Sequence, residues 1–242
     1  TLFFSFEITK EMLTSLMISS CSNKSVHEIE LNQLDAQDQL NVIKKIGEFE
    51  DAELYITEEC SESISRFIRF CENAIETKGI KIIAVDYLQL MRTSNPRTNR
   101  EKEIEYIMGE LKKFVKKHQV TLILNSQLAR SPDLRTGSKR PILSDLRDSG
   151  SIEQLADKII LLYRPDYYGL EVDENNCSTH NMLELIVAKN NYGTTGSVKL
   201  STMGQDIVGY NDTKSADESI QIFHQRKADL NKREDWEGFQ PF

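Results

Sequence analysis

The chain has 242 residues, with 30 lysines and arginines against 38 aspartates and glutamates, which gives a net charge of −8. Hydrophobic residues make up 39% and charged residues 28% of the sequence, which excludes a collagenous or wholly disordered protein. No apolar run reaches the roughly 20 residues of a membrane-spanning helix, and no basic segment leads into a signal-like apolar stretch. We therefore expect a cytoplasmic protein that has no membrane partner.

The N-terminal part of the chain predicts a strand followed by two helices. The opening apolar run, residues 2–7, is typical of a buried strand. Thr9 and Asp35 are suitable N-caps for the two helices. The apolar residues of the second helix recur at helical spacing, and we expect them to face inward: Leu40, Ile43 and Ile46.

The middle of the chain predicts three strands separated by long helices. The strands are predicted at residues 54–57, 81–86 and 120–124. The second of them is apolar without alternation, which is typical of a parallel strand covered on both faces, and the third is predicted to be buried as well. One helix is predicted to begin after Ser61 as its N-cap and to end at Gly79, and another to span residues 100–118.

The C-terminal part predicts a short helix near Ser151, a strand at 158–163 and a hairpin of residues 183–188 and 197–201. Strands that alternate with helices predict an α/β fold with a mostly parallel sheet and right-handed crossovers. We expect one domain over residues 1–210. Residues 211–242 lose the apolar pattern and are predicted to be a flexible or partner-docking tail.

Two loop-like segments are locally basic despite the overall negative charge. Residues 91–100 carry the three arginines Arg92, Arg97 and Arg100 and no acidic residue. Residues 129–140 carry four basic residues and one aspartate. Each segment is consistent either with a solvated loop or with contact to an anion such as nucleic acid.

Three polar residues follow predicted parallel strands: Glu7, Asp86 and Gln127. Ligands of open parallel sheets bind beyond the carboxyl ends of the strands. A carboxylate there can hold Mg²⁺ on a nucleotide, a second can polarise the attacking water, and an amide can sense the terminal phosphate. Taken singly, each residue is equally consistent with a polar cap on a neighbouring helix.

The sequence contains no loop of the kind that wraps nucleotide phosphates. Among its 11 glycines only Gly204 and Gly209 have the spacing of GxxxxGK[ST], and Tyr210 and Asn211 follow them where Lys and Ser or Thr are required. The sequence also lacks GxGxxG, the HExxH zinc motif and the GxSxG elbow of hydrolases.

Several segments together resemble the ATPase domain of bacterial DnaB-type replicative helicases. They are FFSFEIT at 3–9, IIAVDYLQLMR at 82–92, NSQLAR at 125–130, RPILSDLRDSGSIEQLAD at 140–157 and YRPDYY at 163–168. The resemblance runs from Thr1 to about Asn211, and SDLRDSGSIEQ is its most specific part. It implies a RecA-like P-loop NTPase core, which assembles as a homo-hexamer around single-stranded DNA and hydrolyses ATP with Mg²⁺ between subunits.

The resemblance also assigns roles to residues of the strand ends and loops. Glu7 resembles the catalytic glutamate that orients the attacking water, and Asp86 the aspartate that holds Mg²⁺ through water. Gln127 resembles the glutamine that links the state of the γ-phosphate to the DNA loops. The DNA-contacting residues it implies are Arg147, Asp148 and Gly150 in one loop, and the basic segment with Arg92, Arg97 and Arg100 in the other.

Two departures from the family pattern qualify these roles. The phosphate loop of the family lies on a strand–loop–helix unit that precedes the FFSFE-like strand, so we expect this chain to be a fragment with a gap and exposed strand edges in its sheet. The family hairpin reads Lys-x-Arg-x-Gly, whereas here Lys189 is followed by Asn191 at the place of the arginine finger. A nearby base such as Arg164 is the candidate substitute.

The prediction is therefore part of an ATP-driven replicative DNA helicase, inactive by itself, with primase and a helicase loader as partners by resemblance. One alternative is a RecA-type recombinase or circadian-type ATPase with the same core, although SDLRDSG followed by SIEQLAD disfavours it. A second alternative is a degenerate, non-enzymatic paralogue that only binds DNA or a helicase ring.

Overall fold

In the computed structural model, the residues described are 1–22, 24–59, 63–94, 99–136, 138–147, 150–172, 178–203 and 206–210. Contacts between residues divide the chain into two compact units. The first unit contains Thr1–Ala129 and Leu146–Ala156, and the second contains Arg130–Asp145 and the residues from Asp157 onward. The predicted tail, residues 211–242, lies outside the described residues, so the boundary at 210 stays a prediction.

The first unit is built on a parallel sheet of four strands. The strands are β1 (Leu2–Ser5), β2 (Tyr55–Thr57), β3 (Ile82–Asp86) and β4 (Thr121–Leu124), in the spatial order β2-β1-β3-β4. The helices of this unit are α1 (Lys10–Ser22), α2 (Val26–Glu30), α3 (Ala36–Glu50), α4 (Ile64–Lys78), α5 (Arg100–His118) and, after an excursion into the second unit, α7 (Gly150–Leu155). The parallel α/β architecture expected from the sequence is confirmed for this unit.

The second unit is built on an antiparallel sheet. It contains the short helix α6 (Ser131–Leu134) and the strands β5 (Lys158–Tyr163), β6 (Met182–Asn190), β7 (Gly196–Met203) and β8 (Asp206–Tyr210), which pair in chain order. The predicted hairpin is confirmed as β6 and β7. Strand β8 was missed, because DIVGY is a short run with a glycine in it and resembles a loop as much as a strand.

Helices α4 and α5 supply much of the core of the first unit. Their apolar stripes contain Phe67, Cys71, Ile104 and Ile107, all fully buried, as the periodicity predicted. The Phe4 ring of β1 lies 4.6 Å from the Phe67 ring, centroid to centroid. One face of the sheet is therefore well covered.

The opposite face of the same sheet is open in part, which corrects the expectation that β3 is covered on both faces and that β4 is buried. Ile82 of β3 and Ile123 of β4 are 40% and 53% exposed. Ala84 pairs with Ile123 in the register of β3 and β4, and Ile82 lies two residues before Ala84, on the same face of β3. Ile82 and Ile123 therefore lie on one face of the sheet. Strand β4 ends the order of its sheet, as β5 ends the other, and β5 exposes Ile160 and Leu162. These side chains are exposed on faces of the sheets, so the gap and the exposed strand edges expected from the resemblance stay a prediction.

The apolar stripe of α3 is a second correction. Leu40, Ile43 and Ile46 were expected to face inward, but they are 62%, 64% and 38% exposed, and Val42 is the buried residue of this helix. The expected N-cap is confirmed, since Asp35 Oδ1 accepts the Asp38 N–H at 2.8 Å. Periodicity shows that a helix has an apolar face, but it does not show that the partner for that face lies in the same chain.

Helix starts were predicted with mixed success. Thr9 caps α1 as expected, because its hydroxyl accepts the Met12 N–H at 3.2 Å. Helix α4 begins at Ile64 with Ser63 as N-cap, so the assignment of that role to Ser61 is wrong; Ser61 itself lies outside the described residues.

Helix α2 was missed, although Ser25 and Glu28 form a capping box that the pattern Ser-x-x-Glu signals. Gly79 ends α4 with φ of 63°, a left-handed conformation that glycine adopts without strain.

Among the helices of the described residues, none is long and apolar enough to cross a bilayer.

Candidate functional site

Glu7, Asp86 and Gln127 follow three adjacent strands at one edge of the parallel sheet. Ser5 pairs with Asp86 in the register of β1 and β3, and the Phe6 N–H donates to the Asp86 carbonyl at 2.9 Å. On the other side of β3, the Asn125 N–H donates to the Val85 carbonyl at 3.0 Å. Glu7 lies two residues beyond Ser5, and Gln127 lies two residues beyond Asn125. The structure therefore places all three predicted residues at the carboxyl edge, where parallel sheets bind ligands.

The Asp86 side chain is half-buried and is held by a neighbour on the next strand. Asn125 Nδ2 donates to Asp86 Oδ1 at 3.1 Å, and the Asp86–Tyr87 peptide bond is cis. Glu7 and Gln127 are exposed. A carboxylate fixed on a buried strand between exposed polar neighbours fits the ligand that Mg²⁺ prefers in nucleotide sites.

The carboxylates at this edge are too few for a protein-only metal cage. Within the described part of the chain, no group of three His, Cys, Asp or Glu residues could hold a metal ion. Mg²⁺ in nucleotide sites is commonly held by one or two carboxylates together with phosphate oxygens and water. The residues at this edge therefore fit a magnesium–nucleotide complex and do not fit a structural metal site.

The basic segment 91–100 is anchored at both ends by a buried glutamate. Glu103 is 5% exposed; it accepts the Thr93 N–H at 2.9 Å and forms an ion pair with Arg100. Burial by itself raises the pKa of Glu103, but the hydrogen bonds from Thr93 and Arg100 outweigh it, so the pKa lies below its ordinary value. The carboxylate is therefore charged at neutral pH and holds Thr93 and Arg100 together.

The predicted DNA-contacting arginines of this segment differ in how they are held. Arg100 donates to the Gln89 and Met91 carbonyls at 2.9 and 3.0 Å, besides its ion pair. Arg92 is exposed and donates to the same two carbonyls at 3.1 and 3.3 Å. Arg97 lies outside the described residues. A contact to DNA stays a prediction for all three.

The second predicted DNA loop begins beside the same strand end. The Arg147 N–H donates to the Gln127 carbonyl at 3.4 Å, which leaves the exposed Arg147 near the tip of β4. Gly150 is exposed at the start of α7, and a Cβ placed there would meet nothing within 4 Å. Packing within the described chain gives no reason for glycine at this position. Asp148 lies outside the described residues.

The residues predicted to reach a neighbouring nucleotide lie in the second unit. Lys189 is half-buried near the end of β6. Arg164 follows β5 and forms a two-pronged pair with Asp166, its Nε and one terminal nitrogen donating at 3.3 and 3.0 Å. The Asn191 N–H donates to the Asp157 carbonyl at 2.9 Å. The roles of Lys189 and Arg164 stay predictions.

The second basic segment, 129–140, is largely neutralised within its own unit. Arg135 pairs with the buried Asp145, and Arg140 forms a two-pronged pair with the buried Glu184 at 3.0 and 2.8 Å. Lys139 donates to the Asp133 and Arg135 carbonyls. Of the two interpretations left open for this segment, the structure favours an internally paired loop over an anion-binding surface.

Sequence reasoning missed two buried residues that organise the site, Gln89 and Glu103. Glu103 follows Arg100 by three residues, a spacing at which helical side chains meet, and this spacing is the signal that could have found the pair. Gln89 carries no motif signal by itself. Its role depends on a partner 38 residues away along the chain, the Gln127 N–H.

Comparison with known proteins agrees with this geometry. The family model of the DnaB-like helicase C-terminal domain matches residues 1–208. The replicative DNA helicase DnaC of Bacillus subtilis is 34% identical over 199 residues, which cover 82% of this chain and 42% of that protein. This chain thus spans less than half the length of that relative.

Two solved structures are similar as well. One is described as a DnaB-like replicative helicase and its interactions with primase, with a TM-score of 0.74 and 30% identity over 84% of this chain and 48% of that one. The other is described as an ATPase domain, with a TM-score of 0.76 and 28% identity over 88% of this chain and 74% of that one. The RecA-like fold expected from the sequence is confirmed, and the chain belongs to the DnaB-like helicase C-terminal domain family.

Proposed function

We propose that this chain is the motor part of a replicative DNA helicase that couples ATP hydrolysis to movement along single-stranded DNA and to duplex unwinding. Family membership supports the proposal. The observation that carries it is the alignment of Glu7, Asp86 and Gln127 on three adjacent strand ends of one parallel sheet. Helix caps were the alternative interpretation of these residues, and among the contacts described here the Asp86 carboxylate contacts the neighbouring strand end instead.

The proposed chemistry divides between the three residues. Asp86 would hold Mg²⁺, in most such sites through water, and the ion supplies positive charge where the phosphates develop negative charge. Glu7 is exposed beside it and orients the attacking water by accepting its hydrogen bond. Gln127 can donate its side-chain amide to the terminal phosphate. The GxxxxGK[ST] loop is not part of these 242 residues, so we expect the chain by itself to show no steady-state phosphate release from ATP.

The DNA-binding part of the proposal rests on segment 91–100 and on the loop that begins at Arg147. Arg92 and Arg147 are exposed, and Arg97 and Asp148 complete the predicted contacts in sequence. Arginines and the backbone N–H groups near Gly150 can grip phosphates without selecting a base sequence. Because Arg100 is held by Glu103 and two carbonyls, we expect it to contribute less than Arg92 or Arg147.

The partners of the proposed helicase extend the resemblance. A homo-hexameric ring would place Lys189, with Arg164 as the nearby base, against the nucleotide of a neighbouring subunit. Primase is a proposed partner because a similar solved structure is described with it. A helicase loader and a cytoplasmic location follow from the same proposal.

Salt-dependent binding of single-stranded DNA tests the proposal. We expect the chain to bind a fluorescent oligothymidylate more tightly than a duplex of equal length, measured by anisotropy. For about three phosphate contacts, the logarithm of the affinity falls with the logarithm of the salt concentration at a slope of about −2. Binding that does not depend on salt, a preference for duplex, or rapid DNA-stimulated phosphate release by this chain alone would each contradict a part of the proposal.

A further inference from the structure

Gln89 joins the strand end that carries Gln127 to the base of the basic segment. It lies in the turn Leu88–Leu90 directly after β3 and is 9% exposed. Its side-chain Nε2 donates to Ser126 Oγ at 2.8 Å, and its Oε1 accepts the Gln127 N–H at 3.2 Å. Because a backbone N–H can only donate, the amide has one orientation that satisfies both partners.

The backbone carbonyl of Gln89 contacts the two described arginines of segment 91–100. Its carbonyl accepts from Arg100 at 2.9 Å and from Arg92 at 3.1 Å. Arg100 in turn pairs with the buried Glu103, which accepts the Thr93 N–H. Gln89 thus contacts Gln127 through its side chain and both ends of segment 91–100 through its carbonyl.

The hydrogen bonds of Gln89 and Glu103 are costly to break because both residues are buried. A buried amide or carboxylate that loses a partner pays the desolvation cost of an unpaired group, so the arrangement resists partial rupture. A displacement of Arg92 or Arg100 therefore acts on the Gln89 carbonyl, and the Gln127 backbone follows or its hydrogen bond breaks. The Gln127 carbonyl also accepts the Arg147 N–H, which brings the second predicted DNA loop to the same residue.

We propose that Gln89 is a positioning residue that transmits DNA binding at Arg92 and Arg100 to the backbone of Gln127. The inference rests on the proposed function, since it requires single-stranded DNA to bind these arginines. It adds a specific route for the coupling: the side-chain amide of one buried residue.

Amide hydrogen exchange at Gln127 tests the route, with and without saturating oligothymidylate, on the 242-residue chain. In the unaltered protein we expect the oligonucleotide to slow exchange at Gln127 about tenfold, the equivalent of one strengthened hydrogen bond. Gln89→Met has similar length and removes both hydrogen bonds of the side chain. We expect it to exchange equally fast with and without DNA while still binding the oligonucleotide.

Two further variants separate coupling from packing. Gln89→Glu keeps an acceptor for the Gln127 N–H and should retain the DNA-dependent slowing. Ser126→Ala removes only the partner of Nε2 and should retain it as well. If circular dichroism shows that Gln89→Met does not fold, Glu103→Gln takes its place as the test of the coupling. This variant weakens the ion pair with Arg100, which donates to the Gln89 carbonyl, and it should reduce the slowing of exchange at Gln127.

The outcomes distinguish the two proposals. Undiminished slowing in Gln89→Met, or in Glu103→Gln where that variant decides, overturns the role of Gln89 and leaves the proposed function standing. Loss of the slowing in Ser126→Ala also overturns it, since packing would then account for the effect. If the unaltered chain does not bind the oligonucleotide, the DNA-binding function fails, and this inference with it.

Discussion

The two sheets of this chain use charged and polar side chains in opposite ways. In the parallel sheet, Glu7 and Gln127 are exposed at the carboxyl edge, where a ligand can reach them. In the antiparallel unit, the carboxylates of Asp145 and Glu184 are buried and paired with Arg135 and Arg140. Local basic charge is therefore a poor guide to binding by itself. Buried acids of the same unit already neutralise Arg135 and Arg140, whereas Arg92 and Arg147 are exposed.

The largest effect we expect is on the stability of the antiparallel unit. Asp145 accepts hydrogen bonds from Arg135, from the Ser131 hydroxyl at 2.9 Å and from the Ile142 N–H at 2.8 Å. Asp145→Ala should lower the free energy of unfolding by about 3 kcal/mol in urea titrations, because it leaves those donors without their buried acceptor. Asp166→Ala removes a more exposed arginine pair and should cost less than about 1 kcal/mol. Equal effects of the two variants would contradict the distinction between the two kinds of pair.

Acid should destabilise the protein through these same carboxylates. Burial raises the pKa of Asp145 and of Glu184, but hydrogen bonds from Arg135 and Arg140 outweigh it, and both values lie below the ordinary range. An acid whose pKa is lower in the folded state stabilises fully above its unfolded pKa, about 4, and loses that contribution as pH falls through the folded value. The melting temperature should therefore decrease as the pH is lowered from about 4, and Asp145→Asn should make this decrease smaller. A profile identical in the variant would contradict the assignment.

Helix α3 gives a comparison within a single element. Val42 is buried, and Val42→Ala should cost about 2 kcal/mol of unfolding free energy. Ile43 is its exposed neighbour, and Ile43→Gln should change stability by less than about 0.5 kcal/mol. A large loss in Ile43→Gln would show that the apolar stripe is covered in solution.

The smallest expected effect separates the predicted DNA loop that begins at Arg147 from the basic segment 129–140. Arg147→Ala should reduce the salt slope of oligothymidylate binding by about 0.7, the value of one single-strand phosphate contact. Lys139→Ala removes an equal charge from segment 129–140, whose Arg135 and Arg140 are paired with buried acids, and it should leave the slope unchanged. A slope that depends on Lys139 and not on Arg147 would reverse the assignment of the DNA loop and of segment 129–140.

Some of these features could be predicted from the sequence and others could not, for identifiable physical reasons. The stripes of α4 and α5 predicted buried helices correctly because their partners lie in the same unit: Phe4 of β1 packs on α4, and α5 contacts α4 and α7. The stripe of α3 gave the same signal, but among the described residues it is exposed. The strand ends of Glu7, Asp86 and Gln127 were predictable because parallel strands share a direction. The roles of Gln89 and Glu103 depend on contacts across turns, which periodicity does not encode.

Paramagnetic broadening by Mn²⁺, a stand-in for Mg²⁺, tests most directly whether the carboxyl edge of the parallel sheet is a metal–nucleotide site. With ATP and substoichiometric Mn²⁺, amide resonances of residues 6–8, 86–87 and 125–127 should broaden first. Asp86→Asn should abolish this pattern, and the surface variant Asp38→Asn should leave it intact. Broadening centred on other acidic residues, or an unchanged pattern in Asp86→Asn, would contradict the account.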